Sequence, residues 1–176
     1  VTKAKKSSAE AVVTEIVSAS PDRITAECPY DGSCGGCTLQ ELSYEAQKRL
    51  KEEQVRAKLN RLGGLEDPKV NEMIGASTLK YYRNKAVFAV GPHGEVGFLK
   101  GKSHFVMDID DCLLQTDAAM VCADALRAFL KQTGVRGITQ LTVRTAFGTG
   151  EVMAVLESDK KDVPQIEKLV EMFDDA

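Results

Sequence analysis

Apolar positions in this chain come mostly in short alternating runs broken by glycine and proline, with helical spacing between them. Residues 10–18, "EAVVTEIVS", alternate well enough to predict one strand. "SASPDRI" predicts the turn after it, with Pro21 and then Asp22 at favoured positions. "SYEAQKRLKEEQVRAKLNRLGG" predicts a helix over 43–62, capped by Ser43, dense in good helix formers and stopped by Gly63-Gly64. Its apolar residues fall on two faces. Leu42, Ala46, Leu50 and Ala57 form one, and Val55, Leu59 and Leu62 lie nearly opposite, the pattern of a helix held between two neighbours.

Strand patterns follow at 70–76, 81–90, 95–100 and 104–109, with "GPHG" as a hairpin turn between the second and third. Residues 117–131 predict an amphipathic helix with Ala118, Val121, Cys122, Ala125 and Phe129 on its apolar face. "ITQLTVRTA" and "EVMAVLES" flank "FGTG" as another hairpin, and "VPQIEKLVEMF" predicts a last helix with Pro164 near its first turn. Hairpins with few crossovers imply an α+β fold: an antiparallel sheet with flanking helices, and a cysteine-bearing loop near the N-terminus. There is no internal repeat and no low-complexity segment.

Composition adds limits. With 176 residues, 43% hydrophobic and no tryptophan, the chain can build one mostly aliphatic core. No apolar run is long enough to span a bilayer. "VTKAKKSSAE" is basic and polar, unlike a signal peptide, and lacks an initiator methionine. The expectation is a piece of a longer protein, soluble and cytoplasmic, with no membrane partner. A net charge of −3 gives no general attraction to nucleic acid. One segment departs from this balance: Lys80, Arg83, Lys85, Lys100 and Lys102 stand against Glu95 alone between residues 80 and 104. Such an island marks either a polyanion-binding face or a solvated strand pair.

The chemistry concentrates in "ECPYDGSCGGCTLQ", residues 27–40, which holds three of the five cysteines. Cys28 and Cys34 have five residues between them, Cys34 and Cys37 have two, and Cys37 and Cys112, in "MDIDDCLLQ", have 74. Cys122 falls mid-helix among apolar residues and reads as core. Three thiolates from one loop and one distant thiolate make a four-sulfur cage, suited to a [4Fe-4S] cluster or to tetrahedral zinc. Zinc sites usually pair two C-x2-C knuckles, and only one is present here. A compact triad with one far cysteine is the commoner iron–sulfur layout. A thioredoxin-like pair, Cys34 and Cys37, is the third reading, though no strand leads into "CGGC" within a βαβ unit.

The stretch "SPDRITAECPYDGSCGGCTLQELSYEAQKRLKEEQV" resembles the start of the iron–sulfur-containing RNA uracil-5-methyltransferases, the family that makes 5-methyluridine in 23S ribosomal RNA. The family's motif is C-x5-C-G-G-C followed some seventy residues on by a single cysteine. Cys28, Cys34, Cys37 and Cys112 match it one by one. "YYRNKAVFAV" and "GEVGFLKGKSHFVMDIDDCLLQ" resemble the family's central domain. The resemblance implies that residues 1–19 are the tail of a TRAM-type oligonucleotide-binding β-barrel and residues 20–176 a central iron–sulfur and RNA-recognition domain. It also implies that helix 43–62 packs on a methyltransferase domain lying in cis beyond this chain.

In that family S-adenosylmethionine and the attacking cysteine belong to the C-terminal domain. No cysteine follows Cys122 here, and no glycine-rich strand–loop–helix unit is present. "FGTG" reads as a hairpin turn, and "GKS" at 101–103 lacks the spacing and following helix of a phosphate loop. This chain alone is therefore expected to be inactive, with no catalytic residue of its own. Its expected role is RNA recognition. Lys80, Arg83, Lys85, Lys100 and Lys102 are candidates for phosphates, and Tyr81, or Tyr82 beside it, for stacking on an unpaired base. Strand packing is the alternative for the tyrosines, one of which is then expected to point inward.

Overall fold

The computed structural model describes residues 1–175. They divide into two units, one made of Val1–Thr25 and Glu41–Asn71 and the other of Ala26–Gln40 together with the chain from Glu72 onward. Among the described residues no helix is long and apolar enough to cross a membrane.

In the first unit, β1 (Lys3–Ala4) pairs antiparallel with β2 (Ala9–Glu10). The strand expected over 10–18 does not form. Val12, Val13 and Val17 stand 69%, 76% and 91% exposed, and alternation makes a strand only where one face can be buried. Helix α1 (Tyr44–Arg61) starts where expected: the Ser43 hydroxyl accepts from the Ala46 N–H at 3.4 Å. Arg49 clasps both carboxylate oxygens of Asp22 at 2.9 Å, which ties the helix to the preceding turn. Of its apolar residues only Ala46 is buried, while Val55 and Leu62 are exposed.

The second unit is built on a five-stranded antiparallel sheet in the order β5-β4-β3-β6-β7. Its strands are β3 (Lys85–Val90), β4 (Val96–Leu99), β5 (Val106–Asp108), β6 (Ile138–Thr145) and β7 (Val152–Ser158). The "GPHG" and "FGTG" turns join β3 to β4 and β6 to β7, as expected. The two hairpin systems meet where β3 pairs with β6, with Phe88 opposite Leu141 and Ala86 opposite Val143. Helix α2 (Asp117–Thr133) packs on the face carrying those residues. Phe88, Phe129, Leu126 and Leu141 have no exposed surface, and each such side chain contributes about 2 kcal/mol through burial. Of the expected face of α2, Cys122, Ala125 and Phe129 are buried, joined by Ala119, Ala123 and Leu126, while Val121 is 38% exposed. Gly134 closes α2 in the left-handed region at φ 69°.

Helix α3 (Ile166–Asp174) contributes Leu169 to the core. It begins later than expected because Gln165, at φ 59°, cannot continue a right-handed turn. Residues 70–76 form no strand, and Ile74 is 94% exposed. Gly97 is required by packing. A Cβ there would sit 2.0 Å from the Met107 carbonyl oxygen, so only glycine lets β5 lie this close to β4.

Candidate functional site

The cysteine loop curls through successive turns. The Asp31 N–H donates to the Cys28 carbonyl at 3.2 Å, and the Cys34 N–H donates to the Tyr30 carbonyl at 2.8 Å. Gly32 supplies the left-handed residue these turns need, at φ 73°. The loop then pairs with the end of β4, beyond the residues that pair with β3. Cys34 bridges Lys100, with the Gly35 N–H donating to the Leu99 carbonyl at 3.1 Å and the Gly101 N–H to the Ser33 carbonyl at 3.0 Å. A Cβ on Gly35 would meet the Leu99 carbonyl oxygen at 3.1 Å, so the close approach depends on glycine.

Cys112 arrives from the segment after β5. The phenol oxygen of Tyr30 accepts from the Asp110 N–H at 3.1 Å, which fastens the two cysteine-bearing segments together. The 80–83 segment is laced to the same place: the Tyr81 N–H donates to the Leu113 carbonyl at 2.8 Å and the Arg83 N–H to the Leu114 carbonyl at 2.9 Å. Lys80 forms an ion pair with Glu27, whose hydrogen bond holds the ammonium pKa above its ordinary value.

Cys28, Cys34, Cys37 and Cys112 all line one cavity, walled by apolar Phe98, Ile109 and Leu113 and reached by Arg83. All four thiols are free. Burial pushes the Cys112 thiol up, opposed by the backbone N–H groups of Leu114 and Gln115, and the nearby Cys37 and Cys28 push it further up. The Gly36 N–H lies 3.4 Å from the Cys34 sulfur. The two amides at Cys112 favour its thiolate form. Among the described residues no three His, Cys, Asp or Glu side chains are grouped to hold a single metal ion. Gln115 lines the same cavity, and its Oε1 is buried without a hydrogen-bond partner. Turned about its last torsion, that amide would present N–H donors to sulfur.

The expected basic residues do not form one patch. Lys100 and Lys102 share an open groove of about 520 Å³ with Gly35, Gly36, Ser103 and His104. Lys85 lies on the sheet, opposite Arg144 in the β3–β6 register. Lys80 is engaged by Glu27, and Arg83 belongs to the cysteine cavity. Tyr81 and Tyr82 are 47% and 48% exposed and lie outside any strand, so the expectation that one points inward does not hold. Tyr81 sits at φ 55°, where strand alternation has no meaning. Sequence reasoning missed Tyr30 and Gln115, which line the cysteine cavity.

No protein-family model matches the chain. Curated proteins match it over essentially its whole length. An uncharacterized RNA methyltransferase of Halalkalibacterium halodurans is 33% identical over 188 residues, which cover 100% of this chain and 41% of that protein. One from Clostridium acetobutylicum is 31% identical, covering 97% of this chain and 40% of that protein. One from Staphylococcus aureus is 33% identical, covering 99% and 41%. Its homologues are RNA methyltransferases. The chain spans about 40% of the length of these relatives. The crystal structure of Pyrococcus abyssi tRNA (uracil-54, C5)-methyltransferase in complex with S-adenosyl-L-homocysteine shares the fold. Its TM-score is 0.66 at 24% identity, over 88% of this chain and 37% of that one.

Proposed function

We propose that this chain is the RNA-recognition and iron–sulfur-binding part of an S-adenosylmethionine-dependent RNA uracil-5-methyltransferase, with 23S ribosomal RNA as substrate. The observation that carries this reading is the gathering of Cys28, Cys34, Cys37 and Cys112 at one cavity. The RNA methyltransferase relatives support the wider assignment.

Bound at the four thiolates, the [4Fe-4S] cluster would supply a covalent staple between the 28–37 loop and Cys112. The chain's own residues prepare for it. The amides of Leu114 and Gln115 favour thiolate at Cys112, Arg83 brings a positive charge to the cavity, and Phe98, Ile109 and Leu113 give it apolar walls. Methyl transfer to uracil moves no unpaired electron, so the role fits structure and placement. S-adenosylmethionine and the nucleophile that attacks the base would come from the methyltransferase domain in cis. Helix α1, with Val55 and Leu62 exposed, would pack on that domain.

The test is methylation of RNA by the full-length parent and by this chain alone, each with labelled S-adenosylmethionine and purified 23S or transfer RNA. Label in 5-methyluridine of 23S RNA with the parent, and none with this chain, is expected. Label only in transfer RNA would overturn the substrate, and label from this chain alone would overturn the division of labour.

A further inference from the structure

Between β4 and β5 the chain makes a short, heavily braced turn. The Lys100 N–H donates to the Phe105 carbonyl at 2.8 Å, and the Ser103 hydroxyl donates to the Lys100 carbonyl at 3.0 Å. That same hydroxyl oxygen lies 3.3 Å from the Phe105 nitrogen as its acceptor. On the opposite side Lys100 is bridged by Cys34. The tip is therefore anchored to the sheet and to the cysteine loop, and its side chains project from a fixed backbone.

Two features of this tip cost free energy, and a third sets its cations apart from any carboxylate in the groove. Phe105 is 77% exposed, so its ring stands in water. Lys102 occupies the left-handed region at φ 57°, where a lysine is strained and a glycine would not be. Lys100 and Lys102 line a groove whose walls hold no carboxylate. Cross-strand neighbours project to the same face of a ladder, so Phe105 and Lys100 present a ring and a cation on one side. A flat apolar surface beside unpaired cations on a rigid turn complements an unpaired base with its flanking phosphates.

We propose that the 99–105 hairpin is a nucleotide-contacting finger in which Phe105 stacks on an unpaired RNA base while Lys100 and Lys102 hold the phosphates beside it. This rests on the reading of the chain as an RNA-recognition unit. It adds Phe105 as the aromatic platform and makes the strain at Lys102 part of the site.

The experiment is fluorescence anisotropy of the full 176-residue chain with a labelled single-stranded oligouridine, across a salt series. Phe105→Ala is expected to weaken binding about ten-fold, and Phe105→Trp to restore it. Lys102→Ala is expected to reduce the slope of log affinity against log salt by about 0.7. Lys102→Gly is expected to raise thermal stability, by relieving the strained backbone, while weakening binding as Lys102→Ala does. A purely structural role could not separate those two readouts. Wild-type affinity in Phe105→Ala and Lys102→Ala, with binding by the parent chain intact, would overturn the finger and leave the RNA reading standing. Failure of Phe105→Trp to restore binding would overturn stacking. Absence of binding by the wild-type chain at low salt would overturn both the finger and the RNA reading.

Discussion

Tyr30 and Asp110 are 80 residues apart in the chain, yet the Tyr30 phenol oxygen lies 3.1 Å from the Asp110 nitrogen and 3.4 Å from its carboxylate. This pair brings Cys112 to the loop that carries the other three cysteines without help from any sulfur. Tyr30→Phe removes the hydroxyl and keeps the ring that packs on the core. It is expected to cost about 1 kcal/mol in urea unfolding of the metal-free chain, and to slow anaerobic reconstitution, since the fourth ligand is less often in place. Unchanged stability together with unchanged reconstitution would show that the hydrogen bond contributes nothing.

Lys85 and Arg144 face each other across β3 and β6, and neither has an ion-pair partner among the described residues. Like charges directly opposed destabilise a sheet. Arg144→Glu replaces the repulsion with attraction and is expected to raise stability by about 0.5–1 kcal/mol in thermal or urea unfolding. The same change is expected to weaken binding to single-stranded RNA, because a cation on the open sheet face becomes an anion. Lower stability in this variant would mean that Arg144 supports the fold in a way the register does not reveal.

Cys122 lies in the core, where burial pushes its thiol pKa above the ordinary 9.0. A raised folded value means that the folded state holds its proton more tightly than the unfolded state does. The resulting stability is fully present below the unfolded value and is lost as pH rises through the folded one. The chain is therefore expected to lose stability above about pH 9 through this group. Cys122→Ala is expected to cost about 1 kcal/mol at pH 7 from lost packing, and to flatten that alkaline decline. Equal pH slopes for the two proteins above pH 9 would contradict it.

Much of the fold was legible because its signals are local. Ser43 and Gly63-Gly64 mark both ends of α1, and "GPHG" and "FGTG" mark turns whose backbone needs glycine. The junction of β3 with β6 was not legible, since pairing Phe88 with Leu141 joins residues separated by two strands and a helix. Alternation misled at Val12, Val13 and Val17, where no partner strand offers a face to bury. Spacing, the mid-helix place of Cys122 and the family resemblance singled out four cysteines, and all four line one cavity. Their supporting residues were not legible: Tyr30 and Gln115 are single polar groups whose importance lies in a distant neighbour or a shared cavity. The cations at 80–102 read as one patch in sequence, but the fold divides them among an ion pair, the cysteine cavity, the sheet face and the hairpin.

What Cys28, Cys34, Cys37 and Cys112 hold is tested most directly by elemental analysis of the chain purified without oxygen. About four irons and four sulfides per chain are expected, with near-complete loss in Cys112→Ser and retention in Cys122→Ser. Stoichiometric zinc without iron, or full iron retention in Cys112→Ser, would contradict it.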